Sequence, residues 1–153
     1  MPQTDTYIVP LLIGGQEIIA DTTFDIVSPS TGQTIWKSSS TSLKDVQSAA
    51  EAAARAFPQW AATKPAFRRN VFLRAADILE KRSDECKQYM HSEMAAQPGF
   101  TSFNILTSVE ILRDLAGRIA SALTGSVPVC QDQGTNALVV KEPYGVVLGI
   151  AAW

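Results

Sequence analysis

Cys86, Cys130 and His91 are the side chains whose types could carry nucleophilic, general-base or metal chemistry. The two thiols lie far apart with no CxxC, and His91 is the single histidine, which fits neither a zinc pattern nor a disulfide framework. A catalytic cysteine or histidine also needs partners whose geometry the sequence does not place, so structural roles are expected for all three. Gly14-Gly15 could in principle open a phosphate loop. No GxGxxG or GxxxxGK[ST] surrounds it and no helix follows, so turn geometry is the reading.

The elements that would position such residues follow from periodicity. Leu11-Leu12-Ile13, Gly14-Gly15 and Glu17-Ile18-Ile19 read as a short hairpin. Phe24-Asp25-Ile26, the Ser28-Pro29-Ser30-Thr31-Gly32 turn and Thr34-Ile35-Trp36 read as a second. Ser42 and Asp45 stand at capping-box spacing and predict a helix to about Trp60, with Leu43, Val46, Ala50, Ala53, Ala54 and Phe57 as its apolar stripe. Thr63 and Pro65 predict the start of a second helix reaching about Met94, its buried face drawn from Val71, Ala75, Ile78, Leu79, Cys86, Tyr89 and Met90. After Pro98-Gly99 a third helix is expected near Ser102, with Ile105, Val109, Leu112, Ala116, Ile119 and Leu123 at helical spacing before Gly125.

Beyond Gly125 strand character returns at Ser126 to Val129 and Leu138 to Glu142. Val146 to Trp153 is continuously apolar, the pattern of a strand buried on both faces of a parallel sheet. Such a strand needs crossover connections to reach parallel neighbours, and the chain ends first, as though cut within a βαβ unit. The fold class is therefore α/β.

The 153 residues, 46% hydrophobic and 18% charged, fit one globular unit and exclude a disordered or collagen-like chain. A formal charge of −2 spread without blocks gives no electrostatic reason for nucleic-acid binding. The longest apolar run, Tyr144 to Trp153, is well short of the roughly 20 residues of a membrane helix. The first residues show no secretory signal, so a soluble cytoplasmic protein is expected, with neither nucleic acid nor membrane as partner.

The order of these elements and the residues at their joints resemble the N-terminal third of the NAD(P)-dependent aldehyde dehydrogenase superfamily. Similar features are Leu12-Ile13-Gly14-Gly15, the Ser28 to Gly32 turn, the alanine-rich helix ending Ala56-Phe57-Pro58-Gln59-Trp60, and the helix through Arg68-Arg69 and Leu73 to Glu80. Most specific is Lys141-Glu142-Pro143-Tyr144-Gly145-Val146-Val147-Leu148-Gly149-Ile150-Ala151-Ala152-Trp153, similar to the family strand leading into a Pro-Trp-Asn segment. Glu93 to Gly99, with Phe100, Phe103 and Asn104, looks most like the branch acting on salicylaldehyde and vanillin, although Met94 and Gln97 depart from it and Ala152 stands where the family has Pro.

The resemblance implies a fold of β-hairpins, three helices, the first strands of an oligomerisation arm and the first strand of an incomplete Rossmann-like sheet. It divides the chain into 1–125 (hairpins and helices of the cofactor-binding domain), 126–143 (partial arm) and 144–153 (first strand). The implied activity is NAD(P)-dependent oxidation of an aldehyde to a carboxylic acid, with a truncated chain that lacks the family's cysteine nucleophile and glutamate base and is inactive alone. NAD or NADP is the implied cofactor, not bound by this fragment by itself, and Ile150, Ala151, Ala152 and Trp153 match the segment beside it. Ser126 to Pro143 is expected to serve a homo-oligomer or pairing with a full-length relative. A non-catalytic module pairing in that way, or the product of a decayed or mispredicted gene, are the other readings.

Overall fold

The computed structural model describes residues 7–151. Five short strands precede four helices: β1 (Ile8–Val9), β2 (Leu11–Ile13), β3 (Gln16–Ile18), β4 (Thr23–Val27) and β5 (Thr34–Ser39), then α1 (Leu43–Ala61), α2 (Pro65–Lys81), α3 (Ser83–Met94) and α4 (Pro98–Ala122). β2 and β3 form the first expected hairpin, Ile13 facing Gln16. Gly14 and Gly15 have φ of 61° and 81°, the doubly left-handed backbone of a two-residue type I′ turn. β4 and β5 form the second, pairing Ile26 with Trp36, and the turn closes through the Gly32 N–H donating to the Ser28 carbonyl at 2.8 Å. β1, which the sequence pattern does not announce, adds in parallel to the other edge of β5, giving the order β1-β5-β4.

The capping box forms as its spacing predicts. The Asp45 N–H donates to Ser42 Oγ at 3.2 Å, and the Ser42 N–H donates to Asp45 Oδ2 at 2.9 Å. The Ser42 hydroxyl, donating to Asp45 Oδ2 at 2.6 Å, and then the Ser42 N–H hold the Asp45 carboxyl below its ordinary value. Thr63, expected to cap α2, does not. Lys64 is the cap residue and Pro65 begins the helix, while Thr63 Oγ1 donates to the Trp60 carbonyl at 2.6 Å and accepts from Arg68 Nε at 2.8 Å. Arg68 also donates to the Ala61 carbonyl at 2.9 Å and lies over the Trp60 ring, placing a cation at the end of α1 where the helix dipole favours it.

The single helix expected from Thr63 to Met94 is two helices, so there are four among the described residues rather than three. Arg82, at φ −95° and ψ 16°, leaves helical geometry and serves as the end of α2 and the start of α3. Its guanidinium closes on Glu85 through Nε and Nη2 at 2.7 and 2.8 Å. α3 ends at Ala95, whose φ of 54° is left-handed. Its N–H donates to the His91 carbonyl and that of Ala96 to Met90. A side chain with a Cβ is strained there. Ala95→Gly is expected to raise stability by about 0.5–1 kcal/mol, the relief at positive φ exceeding glycine's entropy cost. A urea midpoint that does not increase would refute this.

The core lies between α2 and α4. Ala76, Ile105 and Val109 form its buried centre, with Leu79, Cys86, Met90 and Leu112 against them. On α4 the expected face holds for Ile105, Val109, Leu112 and Ala116. On α2 it is turned by one position: Ala76 is fully buried, whereas Val71, Ala75 and Ile78 are exposed. Val71-Phe72-Leu73 is apolar at three successive positions, so periodicity alone does not choose the stripe, and packing on α4 does. Arg113 of α4 reaches Asp77 and Glu80 of α2 at 3.4 and 2.6 Å across the rim of this contact. The stripe of α1 covers nothing comparable. α1 buries none of its residues, and Leu43 and Val46 are exposed.

Beyond α4 the chain doubles back once. Ser126 and Val139 exchange two main-chain hydrogen bonds of 3.1 and 2.8 Å in an isolated antiparallel bridge. Lys141 Nζ adds a bond to the Ala122 carbonyl at the end of α4. The segment 144–151, expected as a buried strand, makes no ladder among the described residues. Leu148 is 84% and Ile150 87% exposed, because no other strand lies beside them to take up their backbone groups.

Candidate functional site

Clefts that gather polar or aromatic side chains from separate elements include two on α3. The first lies on α3 and β5. The Tyr89 hydroxyl donates to Glu85 Oε1 at 2.9 Å, on the carboxylate that Arg82 also engages. The Tyr89 ring meets Trp36 edge-on, centroids 5.9 Å apart and planes at 87°. Trp36 Nε1 donates to Glu93 Oε1 at 3.0 Å. Tyr7 and Val9 complete a cleft of about 340 Å³ with Trp36, Tyr89 and Glu93.

Hydrogen bonds from Arg82, then from Tyr89, pull the Glu85 carboxyl down from 4.5 to about 2. A depressed carboxylate stabilises the fold above its unfolded value near 4.5, and that contribution is lost as pH falls toward about 2. Arg82→Gln is expected to move the Glu85 titration back up toward 4.5, followed by carboxyl carbon NMR. A titration unchanged by the substitution would show that Arg82 is not the main cause.

The second place is the junction of α3 and α4, a cleft of about 410 Å³ lined by residues that include Lys87, His91, Ser92, Thr101 and Ser102. His91 Nδ1 lies 3.1 Å from the Ala96 carbonyl, a contact that holds its ring against the α3 end. Thr101 Oγ1 donates to the Pro98 carbonyl. His91 is thus a residue of a helix end.

Cys86 is half-buried against the α2–α4 core, and Cys130 lies in the segment after α4 with its thiol 4.0 Å from the Pro128 carbonyl. Among the described residues no carboxylate or imidazole hydrogen-bonds either thiol, and no three His, Cys, Asp or Glu side chains gather as a metal set. Of the four residues expected beside a cofactor, Ile150 and Ala151 are exposed and line neither cleft, and Ala152 and Trp153 lie outside the described residues. Tyr144 apart, residues 144–151 carry no polar side chain, so what they could offer NAD or NADP is main chain and apolar contact. Sequence reasoning missed the Trp36–Tyr89–Glu93 cluster, since only the folding of β5 onto α3 joins residues so distant in the chain.

No helix among the described residues is long and apolar enough to cross a membrane. The sequence pattern of the aldehyde dehydrogenase family matches residues 18–153. A vanillin dehydrogenase from Pseudomonas sp. is 42% identical over 147 residues, 95% of this chain and 30% of that protein. The solved salicylaldehyde dehydrogenase from Pseudomonas putida, in complex with salicylaldehyde, superposes on 89% of this chain and 28% of its own with a TM-score of 0.83 and 25% identity. A NAD-dependent benzaldehyde dehydrogenase from Corynebacterium glutamicum gives a TM-score of 0.76 at 27% identity, over 84% of this chain and 28% of its own. The chain spans about 30% of the length of the curated vanillin dehydrogenase it matches.

Proposed function

This chain belongs to the aldehyde dehydrogenase family, and from that premise we propose that it serves as the N-terminal part of an enzyme that oxidises an aromatic aldehyde to its carboxylic acid with NAD or NADP. The observation that carries this reading is the 42% identity to a vanillin dehydrogenase across 95% of the chain. In it, residues 1–125 are the hairpins and helices of the cofactor-binding domain, 126–143 part of an arm between subunits, and 144–153 the strand that enters the cofactor cleft. Ile150, Ala151, Ala152 and Trp153 would then pass beside the bound cofactor, which accepts hydride from the substrate. This chain contributes backbone there and no reacting side chain, so the 153 residues alone turn over no aldehyde. The two free thiols, Cys86 and Cys130, accord with a cytoplasmic setting.

A graft tests it. Replacing the matching segment of the Pseudomonas vanillin dehydrogenase by this chain is expected to give a folded hybrid that oxidises vanillin within about tenfold of the parent kcat/KM, a difference of about 1.4 kcal/mol in transition-state stabilisation. A hybrid that assembles like the parent yet forms no reduced cofactor would overturn the reading. The arm favours a second one. Val127, Val129, Leu138 and Val140 are all exposed beside a single bridge, as a non-catalytic module pairing by its strand edge with a longer relative would require.

A further inference from the structure

We propose that the cleft between β5 and α3 binds a small organic cation of the quaternary ammonium class. Its walls are aromatic: Trp36 from β5, Tyr89 from α3 and Tyr7 ahead of β1, with Val9 at the base. Trp36 and Tyr89 meet edge to face, a contact that takes up one ring face and one ring edge, and both rings line the cleft. The space of about 340 Å³ lies within the range of small-molecule sites.

Charge selects the ligand. Glu93 stands at the cleft and accepts the Trp36 indole N–H at 3.0 Å, and among the described residues no Lys, Arg or His pairs with it. The neighbouring carboxylate, Glu85, is already matched by Arg82. One uncompensated negative charge therefore faces an aromatic lining. A metal ion would exchange its hydration shell for ring faces that offer no lone pairs. A quaternary ammonium has no N–H to leave unsatisfied, and it gains from ring quadrupole and carboxylate together.

The probes are choline and its uncharged isostere 3,3-dimethylbutan-1-ol, each titrated at fixed ionic strength into the intact chain while the Trp36 indole N–H is followed by NMR. Choline is expected to shift that resonance saturably and to bind about tenfold tighter than the isostere. Glu93→Gln, an exposed substitution that keeps the side-chain shape, is expected to weaken choline about tenfold and leave the isostere unchanged. Equal binding of the two probes, a shift that does not saturate, or choline affinity indifferent to Glu93→Gln would each overturn the proposal. So would a trimethyllysine peptide binding about tenfold tighter than choline, which would make the occupant a protein side chain.

Discussion

Val109→Asp is expected to abolish the cooperative unfolding transition of this chain. Val109 is 3% exposed on α4 and packs with Ala76, itself 0% exposed, and Ile105 at the centre of the α2–α4 contact. A carboxylate there has no basic side chain in that cluster to pair with and must be neutralised or drag water inward, at several kcal/mol. A domain's whole stability is about 5–15 kcal/mol. The core here is small, so the loss falls on the contact that joins α2 and α4. Leu106→Asp is the control: Leu106 is on the same helix and largely exposed, and its substitution is expected to move the midpoint by about 0.5 kcal/mol or less. Urea unfolding followed by circular dichroism reads both, and similar midpoints for the two variants would refute the placement of the core.

The second large effect is local. A Cβ at Gly125 would run into the carbonyl oxygen of Val139, and since a Cβ is fixed to its own backbone and the carbonyl is main chain, neither side can rotate away. Gly125→Val is expected to separate the returning segment from α4 and break both hydrogen bonds between Ser126 and Val139. At about 1 kcal/mol each, these amount to a tenfold or greater rise in amide exchange at the two positions, with the α2–α4 transition unmoved. Unchanged protection would mean that the bridge is not held as described. If the arm pairs with a longer relative, the same variant would also co-elute less with it on size exclusion.

Where local chemistry decides, the sequence was readable. The Gly14-Gly15 turn, the Ser42–Asp45 box and the α4 face each rest on residues within one turn or one period of each other. Where an outside partner decides, it was not. β1 exists through β5, the buried face of α2 through α4, and the break at Arg82 through a backbone angle that no propensity marks. The apolar run after Tyr144 has strand composition but no neighbouring strand among the described residues. The cofactor-side residues were named by resemblance, and the aromatic cleft, assembled from Tyr7, Trp36 and Tyr89, left no motif to read.

The clasp that ties the arm to α4 has one further meaning. It is made from the backbones of Ser126 and Val139, a glycine with no side chain and one lysine reaching a carbonyl. The side chains of the residues between the two ends of the clasp take no part in it. Exposed ones such as Val127, Val129 and Leu138 can change without touching the hydrogen bonds that hold the returning segment to α4. Attachment of this segment rests on main-chain groups, so selection or design can vary its exposed side chains while leaving that attachment as it stands.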